Sequence, residues 1–157
     1  MIFASNGATL HICTTPQTSE PADQAAWEAL TYVETLEVES IGSLGDTSNE
    51  ITFASLSDSR TQRVKGTRDA GTIEIVMGAD YADAGQIALI AAEKTDGNYA
   101  FKIVFDDAPS GGTESVRYFL AMVGSANETL DTADNVIKLN SSLWINSAIT
   151  RVDAAGP

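Results

Sequence analysis

The sequence predicts a mainly β domain: two packed antiparallel sheets, sandwich-like or barrel-like, with one flanking α-helix and a long arm. Three observations carry this expectation. Short runs with an apolar residue at every second position recur along the chain, as at Ile73, Ile75 and Met77. Only the segment after Asp83 spaces its apolar residues for a long helix. The stretch 42–72, rich in Gly, Ser and Asp, is too long and irregular for an ordinary connection in a compact domain.

In chain order, Leu10 and Ile12 alternate with Thr9, His11 and Cys13 and predict a first short strand. Thr14 to Ala25 contains Pro16 and Pro21 and reads as a loop. The pattern resumes from Trp27 to Ile41, with Leu36 and Val38 expected on one face and Thr35, Glu37 and Glu39 on the other. After the irregular stretch, 72–77 is a strand, and Asp80 or Asp83 is positioned to cap a helix, since a short carboxylate accepts the free amide hydrogens of a first turn. Ile87, Ile90 and Ala91, with Ala88 and Leu89, form the stripe of that helix, and Gly97 follows as its stop. Phe101–Phe105 and Val116–Val123, joined by the turn residues 107–112, predict a hairpin. A polar stretch, 125–135, leads to a last strand with Ile137, Leu139, Leu143 and Ile145 on one face, and the tail from Asp153 is expected to fray. The expected core is Leu10, Ile12, Leu36, Val38, Ile73, Ile75, Phe101, Ile103, Leu139 and Leu143, with Ile87 and Ile90 of the helix packed on it.

At 157 residues and 43% hydrophobic the chain is one domain, 1–157, able to bury roughly two-thirds of its unfolded surface. Its formal charge of −13 opposes binding nucleic acid from outside, because that affinity comes from neutralised phosphates, so any contact with DNA must be of another kind. A lone cysteine, Cys13, excludes an internal disulfide. No basic region precedes an apolar run at the start, and no run of about 18 apolar residues exists, so the chain reads as soluble with no membrane partner.

Catalytic signatures are missing. His11 is the only histidine, and no nucleophile elbow, zinc helix or phosphate-binding glycine loop is present. Asp106 with Asp107, and Asp131 with Asp134 and Asn135, are acidic groupings, but neither has calcium-loop spacing, and acids between strands are usually turn formers. The reading assigns no catalytic, cofactor or metal residue, and no cofactor.

Charge is unevenly placed. Residues 1–58 hold nine acids and no Lys or Arg, after which Arg60, Arg63, Lys65 and Arg68 follow in quick succession. With the apolar Ile51, Phe53 and Leu56 just upstream, 42–72 reads as an extended inter-subunit arm whose bases select an acidic landing site. The arm is expected to be poorly ordered alone and to order on a neighbour.

Taken together, Gly7-Ala8-Thr9-Leu10-His11-Ile12, the segment Trp27 to Ser40, Gly66-Thr67-Arg68-Asp69-Ala70-Gly71-Thr72-Ile73-Glu74-Ile75, Asp83-Ala84-Gly85-Gln86-Ile87-Ala88-Leu89, Tyr99-Ala100-Phe101-Lys102-Ile103-Val104-Phe105 and Ala133-Asp134-Asn135-Val136-Ile137-Lys138-Leu139 follow an order that resembles the major tail tube protein of long-tailed, siphovirus-type phages and the related tubes of gene transfer agents. The likeness lies in the order of elements over nearly the whole chain. It implies a structural virion protein in the phage tail, assembled in the bacterial host cytoplasm, with homohexameric rings stacked into a hollow tube through which DNA passes on ejection without specific binding. Tape-measure, tail-terminator and distal-tail proteins are the implied partners. Six such chains carry about −78 per ring, and a lumen of that sign repels phosphate, with Glu37, Glu39 and Glu74 as the expected lumen-facing residues. The alternatives are a monomeric β-sandwich binding module, an inner-tube protein of a contractile or secretion system, and, behind both, a hydrolase using Asp106 or Asp107.

Overall fold

The computed structural model describes residues 2–157. Ten strands and two helices follow one another: β1 (Thr9–Cys13), α1 (Gln24–Glu28), β2 (Tyr32–Thr35), β3 (Val38–Ile41), β4 (Thr47–Phe53), β5 (Gln62–Asp69), β6 (Thr72–Gly78), α2 (Ala84–Glu93), β7 (Tyr99–Val104), β8 (Val116–Thr129), β9 (Lys138–Ile145) and β10 (Thr150–Val152). They form the two expected antiparallel sheets, of unequal size. The large sheet runs β2-β1-β7-β8-β9-β6-β3, with β10 also paired to β8, and the small one is the hairpin β4-β5.

The order of the large sheet forces its shape. β2 and β3 occupy opposite ends of the path, yet only Leu36 and Glu37 separate them in sequence. Laid flat, seven strands would set those ends about 29 Å apart at a spacing of about 4.8 Å. Three peptide steps reach no more than about 11 Å. The sheet therefore curls until its ends meet, and β2 and β3 are two arms of one chain bent at a corner. Glu37 makes the corner with φ of 58°, a left-handed conformation costly for a residue with a Cβ. Its carbonyl is held by the Gly78 amide at 2.8 Å.

α2 seals this corner. Asp83 caps the helix, its carboxylate accepting the Gln86 amide at 2.9 Å and the Leu36 amide at 3.2 Å. The buried Gln86 side chain donates to the carbonyls of Gly78 and Leu36, at 2.8 and 3.2 Å. Polar groups exposed by the bend thus find partners on the helix.

Inside the barrel lies one core of Leu10, Ile12, Ile73, Ile75, Met77, Phe101, Ile103, Phe119, Leu139 and Leu143, closed by Leu89 and Ala92 of α2. Phe101 and Phe119 stack at 5.6 Å. A second, smaller cluster sits outside the sheet, where α1 lays Trp27 over Cys13, Ala100, Tyr118 and Leu120. β7 and β8 are buried on both faces there, which explains their near-continuous apolar runs.

Several expectations are corrected. Leu36, expected in the core with Val38, is 46% exposed, while Thr35, expected outside, is 2% exposed, because the left-handed turn at Glu37 inverts the alternation. Val38 is only half-buried, against the core. On α2, Ile87 is 52% exposed and the buried residues are Gly85, Gln86, Leu89 and Ala92; Ile90 packs at the core's margin. Residues 24–28, expected as the end of a loop and the start of an extended run, form α1, capped by Asp23. The polar 125–129 is not a loop but the far half of β8, paired to β9. Ile137, expected on the buried face of the last strand, precedes β9 and is exposed. The tail does not fray: Asp153 pairs with Arg117 at 3.1 Å, Ala154 donates to Ser115 Oγ, and Ala155 and Thr113 exchange amide hydrogen bonds.

Candidate assembly surfaces

The arm is an amphipathic β-hairpin. Register pairs in an antiparallel ladder share a face, so Ile51 opposite Val64, with Phe53 two residues on, makes one side apolar. Glu50 opposite Lys65 and Thr52 opposite Arg63 make the other side polar, with an ion pair between Arg63 and Glu50. Ile51, Phe53 and Val64 are all exposed, and Leu56 at the turn is fully so. Val64 is a member of this surface that the sequence reading missed; its signal is the apolar residue set between Arg63 and Lys65. The four bases do not act as one cluster. Arg63 is paired across the hairpin, Arg68 is paired with Asp46 at 2.9 Å at the root, and Arg60 and Lys65 have no carboxylate partner among the described residues.

The three glutamates expected in a lumen lie outside the barrel in different settings. Glu39 on β3 reaches across β6 to Lys138 of β9. Glu74 on β6 accepts a hydrogen bond from Ser142 of β9. Glu37 stands at the corner instead of within a strand. Glu39 and Glu74 thus belong to one exterior face of β3-β6-β9 that also carries Lys138, Asn140 and Ser142.

The domain has two distinct ends. β8 and β9 are joined at the rim of the barrel by a tip, residues 130–137, where Leu130, Val136 and Ile137 are exposed and Asp131 and Asp134 flank the turn. Asp131 is tied to Asn135 at 2.9 Å, and Asp134 lines a hollow with Glu37 and Glu39. At the opposite end of β8, beside the arm root, a concavity of about 520 Å³ is walled by Leu44, Phe105, Ile149 and three arginines, Arg68, Arg117 and Arg151.

Of the acidic pair considered for hydrolysis, Asp107 is used structurally. Asp107 accepts the Ser115 amide at 2.7 Å, and bonding to Ser115 holds its carboxyl below the ordinary range, the reverse of the raised value a general acid needs. Among the described residues no group of three or more His, Cys, Asp or Glu side chains is gathered for a metal, and no helix is long and apolar enough to cross a membrane.

Chains of solved assemblies share this overall fold. The chain aligns with one in the SPP1 tail tube at TM-score 0.62 and 14% identity, covering 92% of this chain and 75% of that one. The tail-tube fold is the fold of this chain. It aligns equally with a chain in the baseplate of the anti-feeding prophage (TM-score 0.67, 7% identity, 98% and 97% covered). A chain in the sheath/tube terminator of the PVC extracellular contractile injection system gives TM-score 0.67 at 9% identity, with 97% of each chain covered. No family model and no curated protein matches the sequence. The tail-tube fold is therefore carried here by topology, with little of it visible as residue identity.

Proposed function

We propose that this chain is a structural, non-catalytic subunit of a hollow phage tail tube, built from homohexameric rings that stack and let DNA pass. The observation that carries this reading is the combination of a tail-tube barrel with an arm whose apolar face is left uncovered by its own subunit. A lone two-stranded hairpin is marginal in water, and an exposed face of Ile51, Phe53 and Val64 favours burial against a neighbour. Ring closure also covers strand edges, since β3 pairs on one side only. The exterior face of β3-β6-β9 supplies a polar wall, with Glu39 and Glu74, and Glu37 at its rim, for a lumen that repels phosphate. In this reading the whole chain is the tube domain, 42–72 is its inter-subunit arm, the tube is in the virion tail after assembly in the host cytoplasm, and tape-measure, terminator and distal-tail proteins meet its ends.

A second reading has its own support: chains from contractile injection systems cover this one over nearly its full length. In that case the same rings form an inner tube inside a sheath.

Negative-stain imaging of the purified protein at raised concentration tests the proposal. Rings and tubes are expected; a protein that stays monomeric at every concentration would overturn it and favour a binding module. Co-assembly with a sheath protein, if one is encoded nearby, separates the second reading from the first.

A further inference from the structure

We infer that rings join head to tail by the β8-β9 tip of one copy entering the arginine-lined concavity of the next. This inference rests on the tube reading above and names the surfaces that make the axial contact.

The concavity holds one arginine that its own subunit leaves unpaired among the described residues. Arg117 and Arg151 are register partners across β8 and β10, so two arginines share one face on neighbouring strands, and both line the concavity. Like charges in that position repel. Arg117 is satisfied internally: it donates to the carbonyls of Val116 and Val152, pairs with Asp153 and lies over the Phe105 ring. Arg68 is paired with Asp46. Arg151 is exposed and has no carboxylate partner among the described residues; the hollow it faces is walled by the apolar Leu44, Phe105 and Ile149 and by Asp46, whose charge is taken up by Arg68. In a chain with 9 bases against 22 acids, three arginines around one hollow are a concentration of the scarce charge.

The tip is its complement in both respects. Leu130 and Val136 are largely exposed and Ile137 partly so, and Asp134 lies beside them, exposed and with no basic partner among the described residues. Glu37 stands next to Asp134 and adds to the negative charge at that end, where Glu39 is already paired with Lys138. An apolar wedge with an acid matches an apolar hollow with a base. Because the two surfaces terminate the same strand, the contact is heterologous: it leaves an unused tip at one end and an unused hollow at the other, and it propagates along the axis instead of closing. Residues 117 to 129 of β8 span roughly 40 Å when extended, so the two contact surfaces lie at well-separated ends of the subunit.

The test uses the full chain with three variants: Asp134→Arg, Arg151→Asp, and both together. Asp134 and Arg151 are exposed and make no ion pair among the described residues, so all three should melt as the wild type does. Each single variant is expected to reduce sedimentable tube by about tenfold or more at low salt, and the swapped pair to recover most of it. A paired Asp134→Cys and Arg151→Cys protein, with Cys13 buried, should give a ladder of disulfide-linked copies on oxidation of preformed tubes. Tubes of normal length from either single variant, no recovery in the swap, or no ladder from assembled cysteine tubes would each overturn this contact while leaving the tube reading in place. Wild-type protein that forms neither rings nor tubes overturns both.

Discussion

Gly85 meets Thr35 at such close range that a Cβ on Gly85 would lie 2.6 Å from the Thr35 Cα. The first turn of α2 therefore rests directly on the backbone of the β2 corner. Alanine is ordinarily worth about 1 kcal/mol over glycine inside a helix, so Gly85→Ala should stabilise if propensity decided the outcome. The backbone contact reverses the sign. Gly85→Ala is expected to lower stability by about 1–3 kcal/mol in urea unfolding, and a variant as stable as the wild type would show that the helix can lift away at no cost.

Two leucine-sized residues separate barrel core from corner. Ile103 is fully enclosed, and Ile103→Ala should cost about 2–5 kcal/mol in equilibrium unfolding of the monomer. Leu36→Ala, by contrast, should cost less than about 1 kcal/mol, since nearly half of Leu36 already meets solvent. Equal losses at both sites would contradict the inverted facing of the β2-β3 segment.

His11 gives stability a dependence on acidity. Burial first, then the charge of Lys102 on β7, hold its imidazole below the ordinary 6.5, against the opposing pull of Glu34 on β2; Thr9 shares a hydrogen bond with it. A histidine with a lowered folded value binds its proton more readily when unfolded. Its contribution to stability is therefore complete above about pH 6.5 and shrinks as pH falls from there toward the lowered folded value. His11→Gln should flatten the fall in melting temperature between about pH 7 and 5 relative to wild type, measured by circular dichroism. Parallel curves for the two proteins would remove His11 from this role.

The arm should matter to assembly and little to the subunit. Arg60→Glu with Arg63→Glu, and separately Ile51→Ser with Phe53→Ser, are expected to block or slow polymerisation followed by light scattering, with the monomer melting almost unchanged. High salt should weaken assembly of the wild type if the bases select an acidic landing site. Normal polymerisation by both double variants would exclude the arm from the interface.

Strands with a strict period of two, β1, β6 and β9, and the β7-β8 hairpin were legible from residue order, because one face of each is barrel interior. The corner was not. Nothing in Leu36-Glu37 announces a left-handed glutamate, and it is the Gly78 and Gln86 hydrogen bonds, distant in sequence, that hold it. The helix face misled for a related reason: α2 buries Gly85 for close approach and Gln86 to satisfy carbonyls, so the apolar Ile87 is turned outward. α1 is too short to show a period, and its importance rests on one side chain, Trp27. Of the proposed assembly surfaces, the arm's position was visible as irregular length and clustered bases, whereas its two-faced pairing and the Arg117-Arg151 register follow only from strand pairing.

The corner at Leu36 and Glu37 also decides how the wall of the barrel can fail under load. A sheet pushed from within normally parts at its edges, where a strand is held by a single row of amide hydrogen bonds. At the α2 end of this barrel the two edges are one continuous peptide, clasped by Asp83 and Gln86, so hoop tension there is borne by covalent bonds. At the far end β3 and the segment around Ser5 and Ala8 face each other across a cleft without pairing. The barrel is thus a sleeve riveted at one rim and slit at the other, and any yielding of the subunit begins at the slit.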